Sequence, residues 1–80
     1  MARILYFGVA RDLAGTASEE ASAVGATTVA GLWDVLIARH PALASIRSIS
    51  RVALDMQYAT SESLVNDDAE VAIIPPVAGG

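Results

Sequence analysis

Two apolar segments lie far apart in the 80-residue chain, and their placement limits the folds available to it. Residues 3–10 (RILYFGVA) and residues 70–74 (EVAII) are almost continuously apolar, which is typical of central strands buried on both faces. If both strands are central in one sheet, they are neighbours. A helical crossover between them then makes their pairing parallel. The sequence therefore predicts a sheet in which the first and last strands are adjacent and parallel.

Between these two segments, the residue pattern predicts one main helix. The helix begins at Thr27 or Thr28, because either hydroxyl can cap the first free amides. It ends at His40, since the following proline disfavours helical geometry there. Four apolar side chains share one face at helical spacing and predict packing against a sheet: Val29, Leu32, Trp33 and Leu36.

The remaining segments predict short strands and turns. Residues 18–24 are polar and suit an edge strand, where charge blocks edge-to-edge pairing. The other segments are a turn at 11–15 with Gly15 as its stop, a helical turn within 42–49, a strand at 51–54 and a turn and return at 55–58. This order indicates an α+β fold with a mixed sheet packed on one main helix, the β-grasp or ubiquitin-like architecture. We expect residues 1–80 to form one such domain, with residues 75–80 as an extended C-terminal tail.

The composition indicates a small domain that is stabilised by a dense core. Hydrophobic residues make up 54% of the chain, and the absence of cysteine excludes disulfides and thiolate metal sites. The net charge is −4, and the five basic residues are scattered arginines, so no basic stripe is present to follow phosphates. Arg11 and Asp12 interrupt the first apolar run well short of the ~18 residues of a membrane span. We expect a cytoplasmic protein with neither a nucleic-acid nor a membrane partner.

Few residues of the chain are candidates for catalysis. His40 is the one histidine, and without a partner evident in the sequence it is predicted to have a structural or surface role. The acidic pairs Glu19-Glu20 and Asp67-Asp68 are interpreted as solvated charges, since two adjacent acids carry little specificity for a metal. The serines and the internal glycines lack the spacing of a nucleophile elbow or a phosphate-binding loop. We predict no metal site and no bound cofactor.

The last six residues, Pro75 to Gly80, form the most unusual segment of the sequence. The two prolines fix φ and lack amide donors, so the chain leaves the sheet extended and cannot continue the strand pairing. Gly79 and Gly80 have no Cβ, and they fit a channel too narrow for any other residue. We interpret this tail as the working part of the protein, which presents its terminal carboxylate to the active site of another enzyme.

Three segments of the chain match the pattern of one known family. They are Phe7-Gly8-x-x-Arg11-Asp12-x-x-Gly15, then Thr28-Val29 with Leu32 and Leu36, and finally Glu70-Val71-Ala72 followed by Pro75-Pro76-Val77-Ala78-Gly79-Gly80. On these segments, residues 3–80 resemble the small, sulfur-carrying subunit of molybdopterin synthase. The chain departs from the family pattern at Asp55, at Ile73-Ile74 and at Ala78, where asparagine, aromatic residues and threonine are common.

This resemblance implies a reaction cycle on Gly80. An E1-like adenylyltransferase would adenylate the Gly80 carboxylate with ATP, and a sulfur donor protein would displace AMP to leave a thiocarboxylate. The tail would then enter the large, catalytic subunit of molybdopterin synthase, where the sulfur attacks a cyclic pterin precursor to build a dithiolene. Two carriers are needed for each product, so the resemblance also implies a heterotetramer of two small and two large subunits.

Partner binding is assigned to one face of the sheet and to the tail. Phe7, Tyr58 and Ile74 are expected on neighbouring strands, where an exposed apolar patch on so small a protein marks a partner site. The alternative for Phe7 and Ile74 is a place in the core. The assigned set is completed by Arg11 of the opening motif and by Pro75, Pro76, Val77, Ala78 and Gly79.

Three other functions are compatible with the sequence. Sulfur carriers for thiamine, cysteine or tRNA thiolation share the fold and the glycine ending, although the motif from Phe7 to Gly15 and the chain length favour the molybdenum-cofactor branch. A protein modifier is a second alternative; the chain contains no lysine, so it cannot build side-chain-linked polymers of itself. A plain interaction module is the third, and deletion of Gly79-Gly80 separates it from a carrier.

Overall fold

In the computed structural model, which describes residues 1–22 and 27–76, five strands form one mixed sheet. The strands are β1 (Ala2–Tyr6), β2 (Ser18–Ala21), β3 (Arg51–Leu54), β4 (Gln57–Ala59) and β5 (Glu70–Ile74). Their order across the sheet is β2-β1-β5-β3-β4. As predicted, β1 and β5 are adjacent and parallel, with Ile4 opposite Val71. The predicted edge position of β2 is also confirmed; residues 23–24, at the end of that predicted strand, lie outside the described residues.

The predicted first strand is wrong over its last residues. β1 ends at Tyr6, and a short helix, α1 (Val9–Ala14), occupies the place of the predicted strand end and turn. The strand is interrupted at Gly8, whose φ of 53° lies in the left-handed region that glycine adopts without strain. Gly15, with φ 75°, ends α1, which confirms it as a stop. A short apolar run does not by itself distinguish a helix from a strand, and this is why residues 9 and 10 were predicted as strand although they are helical.

The main helix, α2 (Val29–Arg39), forms as predicted. The Thr28 hydroxyl caps it by accepting a hydrogen bond from the Gly31 amide at 3.2 Å. His40 is the C-cap, and a 3₁₀ helix (Pro41–Ile46) follows, in agreement with the helical turn predicted in this region. The four side chains predicted to share one face are all buried in the core: Val29, Leu32, Trp33 and Leu36.

The sheet is buried on one face, whereas the apolar runs predict burial on both. Along β1, Ile4 and Tyr6 are buried in the core, while Arg3 is exposed and Leu5 is half-buried. β5 alternates in the same way, with Val71 and Ile73 in the core. One face therefore packs against the helices, and the opposite face, called the open face below, is left with several apolar side chains.

A polar network joins β1, β2 and the end of α2. The carboxylate of Glu19 accepts hydrogen bonds from the Tyr6 hydroxyl at 3.1 Å and from Arg39 at 2.7 Å, and it also contacts His40 Nε2 at 2.5 Å. His40 thus has a structural role, as predicted. The interpretation of Glu19 as a solvated charge is wrong, because its side chain is only 18% exposed and three partners surround it.

The network shifts the proton affinities of two of its members. Burial alone would raise the pKa of Glu19, but hydrogen bonds from Arg39, His40 and Tyr6 outweigh burial and hold this pKa below its ordinary value. Burial, together with the negative charge of Glu19, raises the pKa of Tyr6. At neutral pH, Glu19 is therefore a charged acceptor and Tyr6 a neutral donor.

Replacement of Glu19 is expected to reduce stability in a pH-dependent way. A carboxylate whose pKa is lowered by folding stabilises the protein above its unfolded pKa of about 4.3, and this contribution is lost as the pH falls through the folded value. We expect Glu19→Gln to lower the free energy of unfolding near neutral pH by roughly 1–3 kcal/mol. Urea denaturation from about pH 7 to about pH 2 should show the deficit shrinking in acid, with the exposed Glu62→Gln as control. A deficit that stays constant with pH would contradict this assignment.

Candidate functional site

Three residues assigned to partner binding come together on the open face of the sheet. Phe7, Tyr58 and Ile74 line one groove of about 410 Å³. We call it the open-face groove and define it by its eight lining residues: Leu5, Phe7, Ala53, Met56, Tyr58, Glu70, Ala72 and Ile74.

Strand register explains why these side chains meet. Leu5 lies opposite Ala72, Ala72 lies opposite Ala53, and Ala53 lies opposite Tyr58. One row of side chains therefore crosses four strands on the same face. The two central positions of the row carry alanine, whose short side chain leaves a depression between Leu5 and Tyr58. Phe7 and Ile74 follow two residues along their own chain segments and extend the groove toward the C-terminal end of β5.

The open-face groove exposes large apolar side chains. Phe7 is 48% exposed and Tyr58 is 68% exposed, while Ile74 is half-buried. The alternative that Phe7 belongs to the core is therefore wrong. Exposed apolar groups that converge on one groove indicate a surface that another molecule covers.

The set of partner-binding residues assigned from the sequence differs from the groove at three positions. Arg11 is exposed on α1 and does not line the open-face groove. Arg51, which was not assigned, places its guanidinium carbon 5.3 Å from the centre of the Tyr58 ring, a cation–π contact that favours one orientation of that ring. Met56 was also missed, because its place in the groove depends on the turn that joins β3 to β4. The sequence did contain a signal for Arg51. It lies two residues before Ala53 on one strand, so the two side chains are on the same face of the sheet.

The two prolines at the start of the tail have different environments. Pro75 is buried, and a Cβ added to Gly8 would lie 3.6 Å from its Cγ, so Pro75 packs beside the Gly8 bend. Pro76 is exposed. Packing therefore fixes the first residue of the tail, Pro75, and the next residue already faces solvent. Val77, Ala78, Gly79 and Gly80 lie outside the described residues, and their assigned roles stay predictions.

Within the described ranges, the side chains offer little for other kinds of site. Residues 1–22 and 27–76 contain no group of three or more His, Cys, Asp or Glu side chains placed to hold a metal ion. Over the same residues, no helix combines the length and apolar character needed to cross a membrane. The open-face groove, where Phe7, Tyr58 and Ile74 converge, is the candidate site for a partner.

The profile of the ThiS family matches residues 4–80, which includes both the groove and the tail. The chain belongs to the ThiS family. Its relatives include the molybdopterin synthase sulfur carrier subunit of Arabidopsis thaliana, which is 33% identical over 78 residues that cover 98% of this chain and 81% of that protein. The subunit of the same name from Mycobacterium tuberculosis is 35% identical over 78 residues, covering 96% of this chain and 94% of that protein.

Comparison with solved structures shows the fold of this ThiS-family chain. The crystal structure of SAMP1 from Haloferax volcanii superposes with a TM-score of 0.88 at 24% identity, and the match covers 99% of this chain and 98% of that one. This likeness confirms the predicted β-grasp fold. The relatives confirm the predicted resemblance to molybdopterin synthase sulfur carriers.

Proposed function

We propose that this chain is the sulfur carrier subunit of a molybdopterin synthase and that Gly80 carries the sulfur as a thiocarboxylate. The observation that carries the proposal is a family match that runs through residue 80, with relatives of that name aligned over nearly the whole chain. The open-face groove supports it, because an apolar docking surface lies beside the strand that leads into the tail.

The proposed chemistry needs activation of the Gly80 carboxylate. A carboxylate is a poor electrophile, so an E1-like adenylyltransferase first joins one of its oxygens to the α-phosphorus of ATP and releases pyrophosphate. The terminal sulfur of a persulfide on the donor protein then attacks the carbonyl carbon, and AMP leaves with that oxygen. A thiol next attacks the donor's sulfur in the resulting acyl disulfide; it forms a disulfide with the donor and leaves the transferred sulfur on Gly80 as a thiocarboxylate. We also propose that this cycle takes place in the cytoplasm, where ATP is abundant.

The chain contributes a nucleophile and a docking surface to the second half of the cycle. The thiocarboxylate sulfur attacks the cyclic pterin precursor in the large subunit, and water then cleaves the resulting thioester, which leaves the sulfur on the pterin and returns the Gly80 carboxylate. The groove positions the carrier during these steps. Acid–base groups and any cofactor belong to the partners in this scheme. Two carriers per dithiolene make a heterotetramer of two small and two large subunits the expected assembly.

Intact-mass analysis tests the proposal directly. The full chain is incubated with the E1-like enzyme, ATP and a sulfur source, and we expect the mass gain of one oxygen replaced by sulfur. Addition of the large subunit and the cyclic pterin precursor should then consume the thiocarboxylate and form the dithiolene. A charged carrier that the large subunit does not consume would instead favour a sulfur pathway for thiamine, cysteine or tRNA.

The exposed proline of the tail is expected to serve binding more than folding. Pro76 restricts the directions that the free tail can take, so Pro76→Ala should weaken binding to the large subunit by roughly two- to fivefold and leave the melting temperature nearly unchanged. The buried Pro75→Ala is the matched variant, and it should lower the melting temperature because packing is lost. Calorimetric titration and thermal denaturation measure the two effects. Unchanged affinity in Pro76→Ala would mean that the proline does not pre-organise the tail.

A further inference from the structure

The turn between β3 and β4 holds two consecutive residues in a strained conformation. Leu54 pairs with Gln57, so the loop consists of Asp55 and Met56 alone. Their φ angles are 49° and 72°, and among the residues the structure describes these are the two non-glycine positions with positive φ. Positive φ at both positions of a two-residue loop is the pattern of a type I′ turn, which favours Asn-Gly or Asp-Gly.

Asp55 is explained by contacts within the fold. Aspartate tolerates the left-handed region better than most residues. Its backbone N–H donates to the Glu70 carbonyl at 2.9 Å, and its Oδ1 accepts from the Glu70 N–H at 3.0 Å. Asp55 therefore fixes the turn to the start of β5.

Met56 has no comparable explanation in the free protein. Its side chain is 91% exposed, so it gains almost no packing in return for the strain, and glycine at this position would remove the strain. The same side chain lines the open-face groove. A residue that strains the free chain and extends an apolar docking surface indicates a contact that forms only in a complex.

We propose that Met56 is a specificity-determining contact for the large catalytic subunit that receives the tail. The inference rests on the proposed function and deepens it. Met56 and Glu70 lie at one end of β5, whereas Phe7 and Ile74 lie at the other, nearest the tail. The strand spans roughly 16 Å, so a partner that holds both the tail and Met56 covers the whole length of the groove.

The area that a lasting complex needs favours the large subunit as the occupant. A stable interface buries about 800 Å² on each partner, and the exposed parts of Phe7, Tyr58 and Ile74 supply less than about half of that. Met56 adds apolar area at the far end of the groove, and its flexible thioether side chain suits an apolar pocket on the partner. The proposed heterotetramer is the longer-lived of the carrier's two complexes, so we assign the contact at the far end of the groove to the large subunit.

The test compares Met56→Gly with two matched variants in the full chain. Met56→Leu keeps an apolar side chain, and Leu64→Ala removes an exposed leucine outside the groove. We expect Met56→Gly to weaken binding to the large subunit at least roughly tenfold, to slow charging by the E1-like enzyme far less than it weakens this binding, and to raise the melting temperature by about 4 °C as strain is relieved. Met56→Leu should retain most of the binding, and Leu64→Ala should bind as the wild type does.

The possible outcomes separate this inference from the function on which it rests. Wild-type binding by Met56→Gly would overturn the role of Met56, and an equal loss of charging and of large-subunit binding would overturn its assignment to the large subunit. If the wild-type chain is neither charged nor bound, the proposed function fails, and the inference fails with it. Both the proposed function and the role of Met56 are supported if the wild-type chain is charged and binds the large subunit, and if Met56→Gly is still charged but binds that subunit weakly.

Discussion

Deletion of Gly79 and Gly80 is expected to abolish charging of this chain and to leave its fold intact. In the proposed cycle, adenylation requires a free α-carboxylate on a backbone slim enough to enter a narrow channel, and the proposal assigns this carboxylate to Gly80. The buried core of the described residues is built from strands and helices that precede the tail. We therefore expect no detectable thiocarboxylate in the deletion variant, with a melting temperature close to that of the wild type.

Two companion measurements make this prediction sharper. Addition of one alanine after Gly80 keeps every residue of the chain but displaces the carboxylate, and it should also prevent charging. Tandem mass spectrometry of the charged wild type should locate the sulfur on Gly80. Sulfur on any other residue would show that the tail is not the reactive part, and full partner activity after the deletion would favour a plain interaction module.

Introduction of a charge into the open-face groove is expected to abolish docking without unfolding the protein. Phe7 is about half exposed, so Phe7→Glu places its carboxylate in water in the free chain and in a dry apolar interface in the complex. We expect binding to the large subunit to weaken at least roughly 100-fold, which corresponds to about 3 kcal/mol. Titration calorimetry gives the affinity, and thermal denaturation reports whether the fold is retained.

Two further variants define the limits of this docking surface. Ile74→Glu should act in the same direction, although its half-buried position makes some loss of stability expected. Ile49→Glu is the control, because Ile49 is 57% exposed and lies outside the groove, and it should bind normally. If Ile74→Glu unfolds the free protein, Ile74 is a core residue and not a docking residue. If Phe7→Glu binds with wild-type affinity, the groove is not the docking surface.

The arrangement of the sheet was largely predictable from the sequence, but its exposure was not. The separated apolar runs and one amphipathic helix were enough to predict parallel pairing of β1 with β5 and the β-grasp fold. The same runs suggested burial on both faces, because Leu5 and Ala72 are as apolar as their buried neighbours. A single sequence shows that a face avoids water without showing whether its own chain or a partner covers it.

The missed features depend on backbone geometry or on contacts between distant segments. Glu19 was interpreted as solvated because its partners are distant in the sequence. Tyr6 reaches it through the pairing of β2 with β1, and Arg39 and His40 reach it from the end of α2. Met56 was missed because its φ angle is set by the two-residue hairpin loop, and methionine carries no turn signal. Secondary-structure propensity depends on residues that are adjacent in the sequence. The environments of Glu19 and Met56 depend on residues that are adjacent only in the folded structure.

The central pairing of β1 with β5 also has a consequence for how the chain folds. Arg3 lies opposite Glu70, so the innermost contact of the sheet joins residues separated by most of the sequence. Pairing of β1 with β5 closes a loop of more than about 60 residues, and the entropy cost of this closure slows folding. Strand β3 also depends on β5, because β5 lies between β1 and β3 in the sheet. During synthesis, β5 leaves the ribosome after the other strands described. Until then β1 and β3 keep unpaired apolar edges, and the nascent protein is most exposed to aggregation at this stage.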